Sequence, residues 1–312
     1  MTGPPTYAVP PSFLGVSRRD PASRYCVAGI PFDIGTTNRS GARFGPSAIR
    51  TASRMLVDGA HPRYWVDPAS IEVADIGDFA TALGDLPASM TLIETQAQKI
   101  QHLIAFGGDH SITLPLLRAQ ANRRGPPAVI HFDAHVDTWP DSFGQVLGHG
   151  SVFYHAIEEG LVEPRRMIQI GIRSPVWREV RDWTVSRGVT IISSLEAHEM
   201  GPAAVAARIR DTVGDAPTYL SFDIDVLDPA FAPGTGTPEI GGLATWQAQA
   251  MLRGLAKLNF VGMDVVEVAP VYDVAEITAL AGATMAWEYL CLVSSQAQDG
   301  LGEAIAPHPN LS

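Results

Sequence analysis

The sequence predicts an α/β fold, a mainly parallel sheet covered by helices on both faces. Two observations predict it. Short apolar runs rich in Val and Ile recur along the chain, and longer segments of helical character separate them. Strands buried on both faces read as continuous apolar runs, and helical segments between them supply the crossovers that parallel neighbours need. A third observation bears on organisation. No linker, repeat or shift of composition divides the 312 residues. A single domain is therefore expected, with a core at about 25–295, an N-terminal extension at 1–24 and a loose tail at 299–312.

Eight strands are read at Tyr25 to Ile30, Ile71 to Ile76, Leu103 to Gly107, Ala128 to Phe132, Met167 to Gly171, Val189 to Ile192, Tyr219 to Asp223 and Phe260 to Val265. Helix candidates include Pro46 to Met55, Met90 to Gln101, Ile112 to Asn122, Ala203 to Val213 and Thr245 to Leu258, several with Pro or Thr near the start. The second of these runs into the strand at Leu103 with almost no connection. In open parallel sheets ligands bind beyond the carboxyl ends of the strands, and the polar chemistry here collects at strand ends.

Composition narrows the function classes. A hydrophobic fraction of 46% with 18% charged residues is that of a globular protein. The net charge of −11, without clustered Lys or Arg, argues against a nucleic-acid partner and is compatible with a cationic substrate. Two cysteines, Cys26 and Cys291, sit in apolar runs and read as small buried hydrophobes, which fits a reducing cytoplasm. The first 24 residues lack the pattern of a secretory signal, and no apolar run is read as long enough to span a bilayer.

The run Ala128-Val-Ile-His-Phe-Asp-Ala-His-Val-Asp137 ends in Asp133, His135 and Asp137 at alternate positions. In extended chain such residues share one face at intervals of about 6.6 Å, although a turn would tighten the group. Tyr219-Leu-Ser-Phe-Asp-Ile-Asp225 repeats the pattern with Asp223 and Asp225, and the glycines of Phe106-Gly-Gly-Asp-His110 let the backbone deliver His110 to the same edge. Carboxylates gathered in one pocket repel each other and require a compensating charge, which two divalent cations supply. Four Asp and two His offer hard oxygen and imidazole without thiolate. That set favours Mn²⁺, with Co²⁺, Ni²⁺ or Zn²⁺ as alternatives. A water between two such cations becomes a hydroxide source near neutral pH, equally useful to a phosphoesterase or an amidohydrolase.

Four blocks, Gly107-Gly-Asp-His110, Asp133-Ala-His-Val-Asp137, His149-Gly-Ser151 and the stretch from Ser221 to Pro238, resemble those of the ureohydrolases, the arginase and agmatinase family. Matching segments run in the family's order from about Tyr25 to Leu292. The resemblance implies a three-layer α/β/α domain on an eight-stranded sheet, a binuclear manganese centre, hydrolysis of a guanidino group to urea and an amine, and a homo-oligomer, a trimer or hexamer. It implies that His110, Asp133, Asp137 and Asp223 bind one metal and His135, Asp225, Asp133 and Asp223 the other. By the same resemblance His149 shuttles a proton to the leaving amine and Glu267, in Met263-Asp-Val-Val-Glu-Val-Ala-Pro270, takes the guanidinium by a two-pronged contact. Thr237 and Glu239 line or shape the pocket. The segment from Asp33 to Arg50 forms a pocket wall in which Arg43 is a structural ion-pairing residue.

Within the family the likeness is to bacterial agmatinases, which implies conversion of agmatine to putrescine and urea. The residues agree. The loop from Thr138 to His149 carries Trp139 and Asp141 and no Lys or Arg, so it accepts a cationic tail and offers no partner to a carboxylate. Arg173 or Arg178, approaching from another loop, would reverse that and suit 4-guanidinobutyrate or another guanidino acid. A silent homologue that only binds guanidinium compounds is the remaining reading.

Overall fold

The computed structural model describes residues 6–299, apart from 68 and 69. Among them eight strands form one sheet: β1 (Tyr25–Ile30), β2 (Val73–Asp78), β3 (Leu103–Gly107), β4 (Ala128–Phe132), β5 (Met167–Ile172), β6 (Thr190–Ser193), β7 (Thr218–Asp223) and β8 (Phe260–Val266). Every pairing between them is parallel, in the order β2-β1-β3-β8-β7-β4-β5-β6.

The layers explain why the strands show no alternation in sequence. Along β1, Tyr25 and Val27 enter the core on one face while Cys26, Ala28 and Ile30 enter the core on the other. The first face is covered by α1 (Gly45–Ala52), α6 (Ser194–Met200), α7 (Pro202–Val213), α8 (Thr245–Arg253) and α9 (Ile277–Asp299). The second is covered by α2 (Leu86–Ala97), α3 (Thr113–Arg124) and α4 (Val152–Glu158), with α5 (Arg178–Ser186) contributing Trp183 at its margin. Both faces of each central strand are thus inside a core, and period two is hidden.

Several boundaries differ from expectation. The strand expected at Ile71 to Ile76 lies two residues later, because Asp75 inside it is held by the Arg50 guanidinium at 2.8 and 2.9 Å and Asp78 closes the same cluster at 2.5 Å. A buried carboxylate is tolerated where it is paired. The helix expected at Met90 to Gln101 begins and ends four residues earlier. Asp85 caps it, accepting from the amide of Ala88 at 2.9 Å, and Pro87 sits in its first turn. Residues 98–102 therefore connect it to β3, and the near-absence of a connection expected there is corrected.

α9 was not among the helix candidates. Over Ile277–Gln296 it is long and apolar enough to cross a bilayer by length and composition, which corrects the expectation that no run is. Most of that stretch is buried against the sheet, as a core helix is. The N-terminal extension is docked as well. Phe13 is buried with its ring 5.0 Å from that of Phe106, and its amide donates to Asp75 at 2.8 Å. The expected tail lies, from residue 300 on, outside the described residues.

Candidate metal centre

Three of the four adjacent central strands, β3, β7 and β4, deliver the predicted ligands at or just beyond their carboxyl ends, and β8, between β3 and β7, delivers Glu267. The turn after β3 uses Gly108 at φ +27°, where a Cβ would lie 2.4 Å from the Phe32 carbonyl oxygen, and the next residues are Asp109 and His110. Asp109 fixes this turn by accepting from the amides of Ser111 and Gly35. Burial, and then the charge of Glu267, push its carboxyl up to about 6.

The carboxylates converge by turns rather than by strand alternation. β4 ends at Phe132, and Asp133 to Asp137 form an irregular turn in which Asp137 has φ +49°. β7 ends at Asp223, whose side chain accepts the amide of Asp225 at 2.9 Å at the start of a short 3₁₀ turn. The alternate spacing in the sequence therefore reflects two compact loops: of the two readings open for Asp133 to Asp137 the turn holds, and the shared strand face expected for Asp223 and Asp225 is corrected.

The predicted ligands fall into two groups that share Asp133. In the first, Nδ1 of His110 lies 2.9 Å from Oδ2 of Asp137 and 3.2 Å from Oδ2 of both Asp133 and Asp223. In the second, Nδ1 of His135 lies 3.2 Å from Oδ1 of Asp133 and 3.0 Å from Oδ2 of Asp225. The two oxygens of Asp133 thus face opposite groups. Asp223 gives Oδ2 to the first group, while its Oδ1 caps the turn.

Hydrogen bonding shows what this arrangement lacks. Ser221 donates its hydroxyl proton to Oδ1 of Asp264 at 2.7 Å, so its oxygen accepts from Nε2 of His110 at 2.9 Å. The ring proton of His110 is committed to Nε2. In the neutral ring Nδ1 then points a lone pair at three carboxylates and, among the described residues, has no hydrogen-bond partner, although it is buried. Lone pairs facing each other in a buried site require a cation between them, and these residues fit a divalent metal. Without metal a second proton must serve. Burial opposes an imidazolium at His110, but its hydrogen bonds to Asp133, Asp137 and Asp223 hold the ring well above its ordinary range. For Asp223, burial and then the charges of Asp225 and Asp133 push the carboxyl well up.

Glu239 and Thr237 act around the second group. Glu239 approaches Nε2 of His135 at 3.8 Å and accepts from Ser174, and the hydroxyl of Thr237 donates to Asp225 at 3.3 Å. Beside the first group, Oε1 of Glu267 accepts the amide of His110 at 2.9 Å and faces Nδ1 of His149 at 2.9 Å. Its Oε2 has no partner. Glu267 follows β8 at φ +64°, a conformation fixed by its amide donating to the Gly108 carbonyl. Burial disfavours the charged form of His149, yet Glu267 raises the ring to about 9. On its far side Nε2 meets the Thr37 hydroxyl at 2.8 Å and the Thr37 amide at 3.2 Å.

A cavity of about 700 Å³ opens over the centre, lined by His135, Asp137, Asp223 and Thr237 and also by Trp139 and Asp141. Among the described residues no Lys or Arg lines it. Arg173 is turned away, its guanidinium spent on the backbone carbonyls of Gly171, Asp225, Val226, Leu227 and Glu239, and Arg178 is exposed outside it. Arg43 pairs with buried Asp33, holding the first loop as a wall.

The family model for the arginase family matches residues 23–291. The chain belongs to the arginase family. It is 46% identical over 280 residues to an agmatinase of Photorhabdus laumondii, covering 88% of each chain. It superposes with a TM-score of 0.88 on the crystal structure of a hypothetical agmatinase from Burkholderia thailandensis, at 43% identity, covering 95% of this chain and 94% of that one. A proclavaminate amidino hydrolase from Streptomyces clavuligerus matches with the same TM-score at 38% identity, covering 94% of this chain and all of that one. As an arginase-family member the chain is a metal-dependent ureohydrolase, and its fold is the family's three-layer architecture.

Sequence reasoning missed Ser221, Asp264, His131 and Thr37. Three of them left a signal. His131, Ser221 and Asp264 are single polar residues interrupting apolar strands, and His131 and Ser221 each stand two positions before a ligand.

Proposed function

We propose that this arginase-family protein hydrolyses agmatine to putrescine and urea with two Mn²⁺ bound by His110, Asp133, Asp137, Asp223, His135 and Asp225. The observation that carries the substrate is the cavity wall. Asp141 lies along it, no Lys or Arg among the described residues does, and both arginines that could have met a carboxylate tail lie elsewhere. A cationic amine is accepted there and a carboxylate finds no partner. The agmatinase relatives support the same reading.

When bound, the two cations supply a water acidified to near neutrality and positive charge beside the reacting oxygens. The protein's own residues do the rest. Oε1 of Glu267 already has two partners, so the guanidinium contact falls to Oε2, unpartnered among the described residues, in place of the two-pronged contact expected from the sequence. His149, held as an imidazolium by Glu267, gives its proton to the amine nitrogen as the C–N bond breaks. Thr37 suits both states of that ring: its hydroxyl accepts from a protonated Nε2, and its amide donates to Nε2 once the proton has left.

Buried Cys26 and Cys291, whose thiols burial pushes up to about 11 and 12, are inert hydrophobes compatible with a reducing cytoplasm. We place the enzyme there, as a single-domain subunit of a homo-oligomer. Urea release by the manganese-loaded protein from agmatine, arginine, 4-guanidinobutyrate and 3-guanidinopropionate tests the reading. Agmatine is expected to have the highest kcat/KM; a guanidino acid in first place would transfer the assignment to that substrate.

A further inference from the structure

One layer beneath the ligands, four polar side chains stand in register across four neighbouring strands. They are Gln169 of β5, His131 of β4, Ser221 of β7 and Asp264 of β8. All four are completely buried. Ser221 and Asp264 lead to His110, as described above. Gln169 and His131 lead elsewhere.

Nε2 of Gln169 donates to the Val136 carbonyl at 2.6 Å. A carbonyl only accepts, so the amide cannot be turned round, and its second hydrogen is left for Nδ1 of His131 at 3.1 Å. Nδ1 of His131 must therefore accept, and the ring proton lies on Nε2. That nitrogen is 2.7 Å from Oδ2 of Asp133. The ring is clamped by Phe153 of α4, with centroids 4.2 Å apart, and has no room to swing away.

His131 is close enough to His110, Asp133 and Asp137 to be counted geometrically among possible ligands. Its protonated Nε2 rules out that role, because a nitrogen that donates a hydrogen bond has no lone pair for a metal. We propose that His131, with its tautomer set by Gln169, is a positioning residue for Asp133, fixing the shared carboxylate so that each oxygen faces one ligand group. Oδ2 is held from below by His131, and Oδ1 is held by the His135 amide at 2.5 Å. Rotation of Asp133 about its side-chain torsion is thereby stopped from both ends. The inference rests on the two-metal reading of the centre.

The test is Mn²⁺ titration of the metal-free protein by calorimetry, for the unsubstituted chain, His131→Phe, His131→Gln and Gln169→Leu, with the Tm of each metal-free form as control. His131→Phe keeps the packing against Phe153 and removes the donor. It is expected to bind two Mn²⁺ about 10- to 100-fold more weakly, the usual effect of losing a hydrogen bond to a metal ligand. His131→Gln, whose amide can donate to Asp133, is expected to regain most of that affinity, and Gln169→Leu to lose affinity in the same direction as His131→Phe. Unchanged affinity in both His131→Phe and Gln169→Leu overturns the proposal, as does loss of one whole Mn²⁺ equivalent in His131→Phe, which would make the histidine a ligand. If His131→Phe does not fold, His131→Gln and Gln169→Leu carry the same decision. Fewer than two Mn²⁺ in the unsubstituted protein would instead overturn the two-metal reading, and the shared role of Asp133 with it.

Discussion

Nδ1 of His149 lies 2.9 Å from Oε1 of Glu267, and the same oxygen accepts the amide of His110. One carboxylate therefore sets the charge of the proposed proton donor and the backbone position of a proposed ligand. Glu267→Gln in the metal-free protein should bring the His149 titration down from about 9 toward the ordinary 6.5. A raised pKa in the folded state contributes stability that is fully present below 6.5 and is lost as pH rises through 9. The unsubstituted metal-free protein should thus lose stability across that window, and Glu267→Gln should lose less. Proton NMR titration and thermal melts against pH are the measurements; an unmoved His149 titration would refute the coupling.

His149→Ala should leave both metals bound and lower kcat by about 10²- to 10⁴-fold, the range for removing a general acid. Metal analysis beside steady-state kinetics decides. Loss of metal together with activity would put His149 in the coordination shell instead.

Ser221→Ala removes the acceptor for Nε2 of His110, and Asp264→Asn weakens the acceptor that orients Ser221. Either change should weaken Mn²⁺ binding by about 10- to 100-fold with stoichiometry retained. Calorimetric titration reads both numbers, and an affinity equal to the unsubstituted protein's would show that His110 needs no orientation from below.

Metal loading should release protons. The imidazolium of His110 and the carboxyl of Asp223 are both held well above their ordinary values without metal, so a cation must displace protons from the cluster. Affinity should therefore fall as pH falls. Calorimetry in buffers of different ionisation enthalpy counts the protons released, and a count of zero near pH 7 would contradict the extra proton assigned to the metal-free cluster.

Asp141→Asn should raise KM for agmatine by about two- to fivefold with kcat little changed, since an exposed charge contributes modestly. The effect should shrink at high salt. A kcat loss larger than the KM change would instead place Asp141 near the chemistry.

Most of the fold was legible because a strand buried on both faces leaves an unbroken apolar run, and the candidate ligands were legible because carboxylates collected at the ends of such runs need a reason. What escaped depended on partners distant in sequence. The register of β2 is set by Arg50, which lies 25 residues before Asp75. Helix α9 escaped because its surroundings are apolar on nearly every side, which erases the polar stripe that marks a surface helix. The spacing of Asp133, His135 and Asp137 fits extended chain and a turn alike, and it belongs to a turn, since alternation alone does not report where extended chain stops. His131, Ser221 and Asp264 were visible only as isolated polar letters, and their meaning came from strand register.

Asp137 and Glu267 both occupy the left-handed backbone region, where a side chain other than glycine costs about 1–3 kcal/mol. Glycine would relax either position and would remove a carboxylate from the pocket. Relief of that strain by glycine is set against the buried hydrogen bonds each carboxylate makes, so a search for heat-resistant variants would meet at these two residues a conflict between backbone ease and the proposed chemistry.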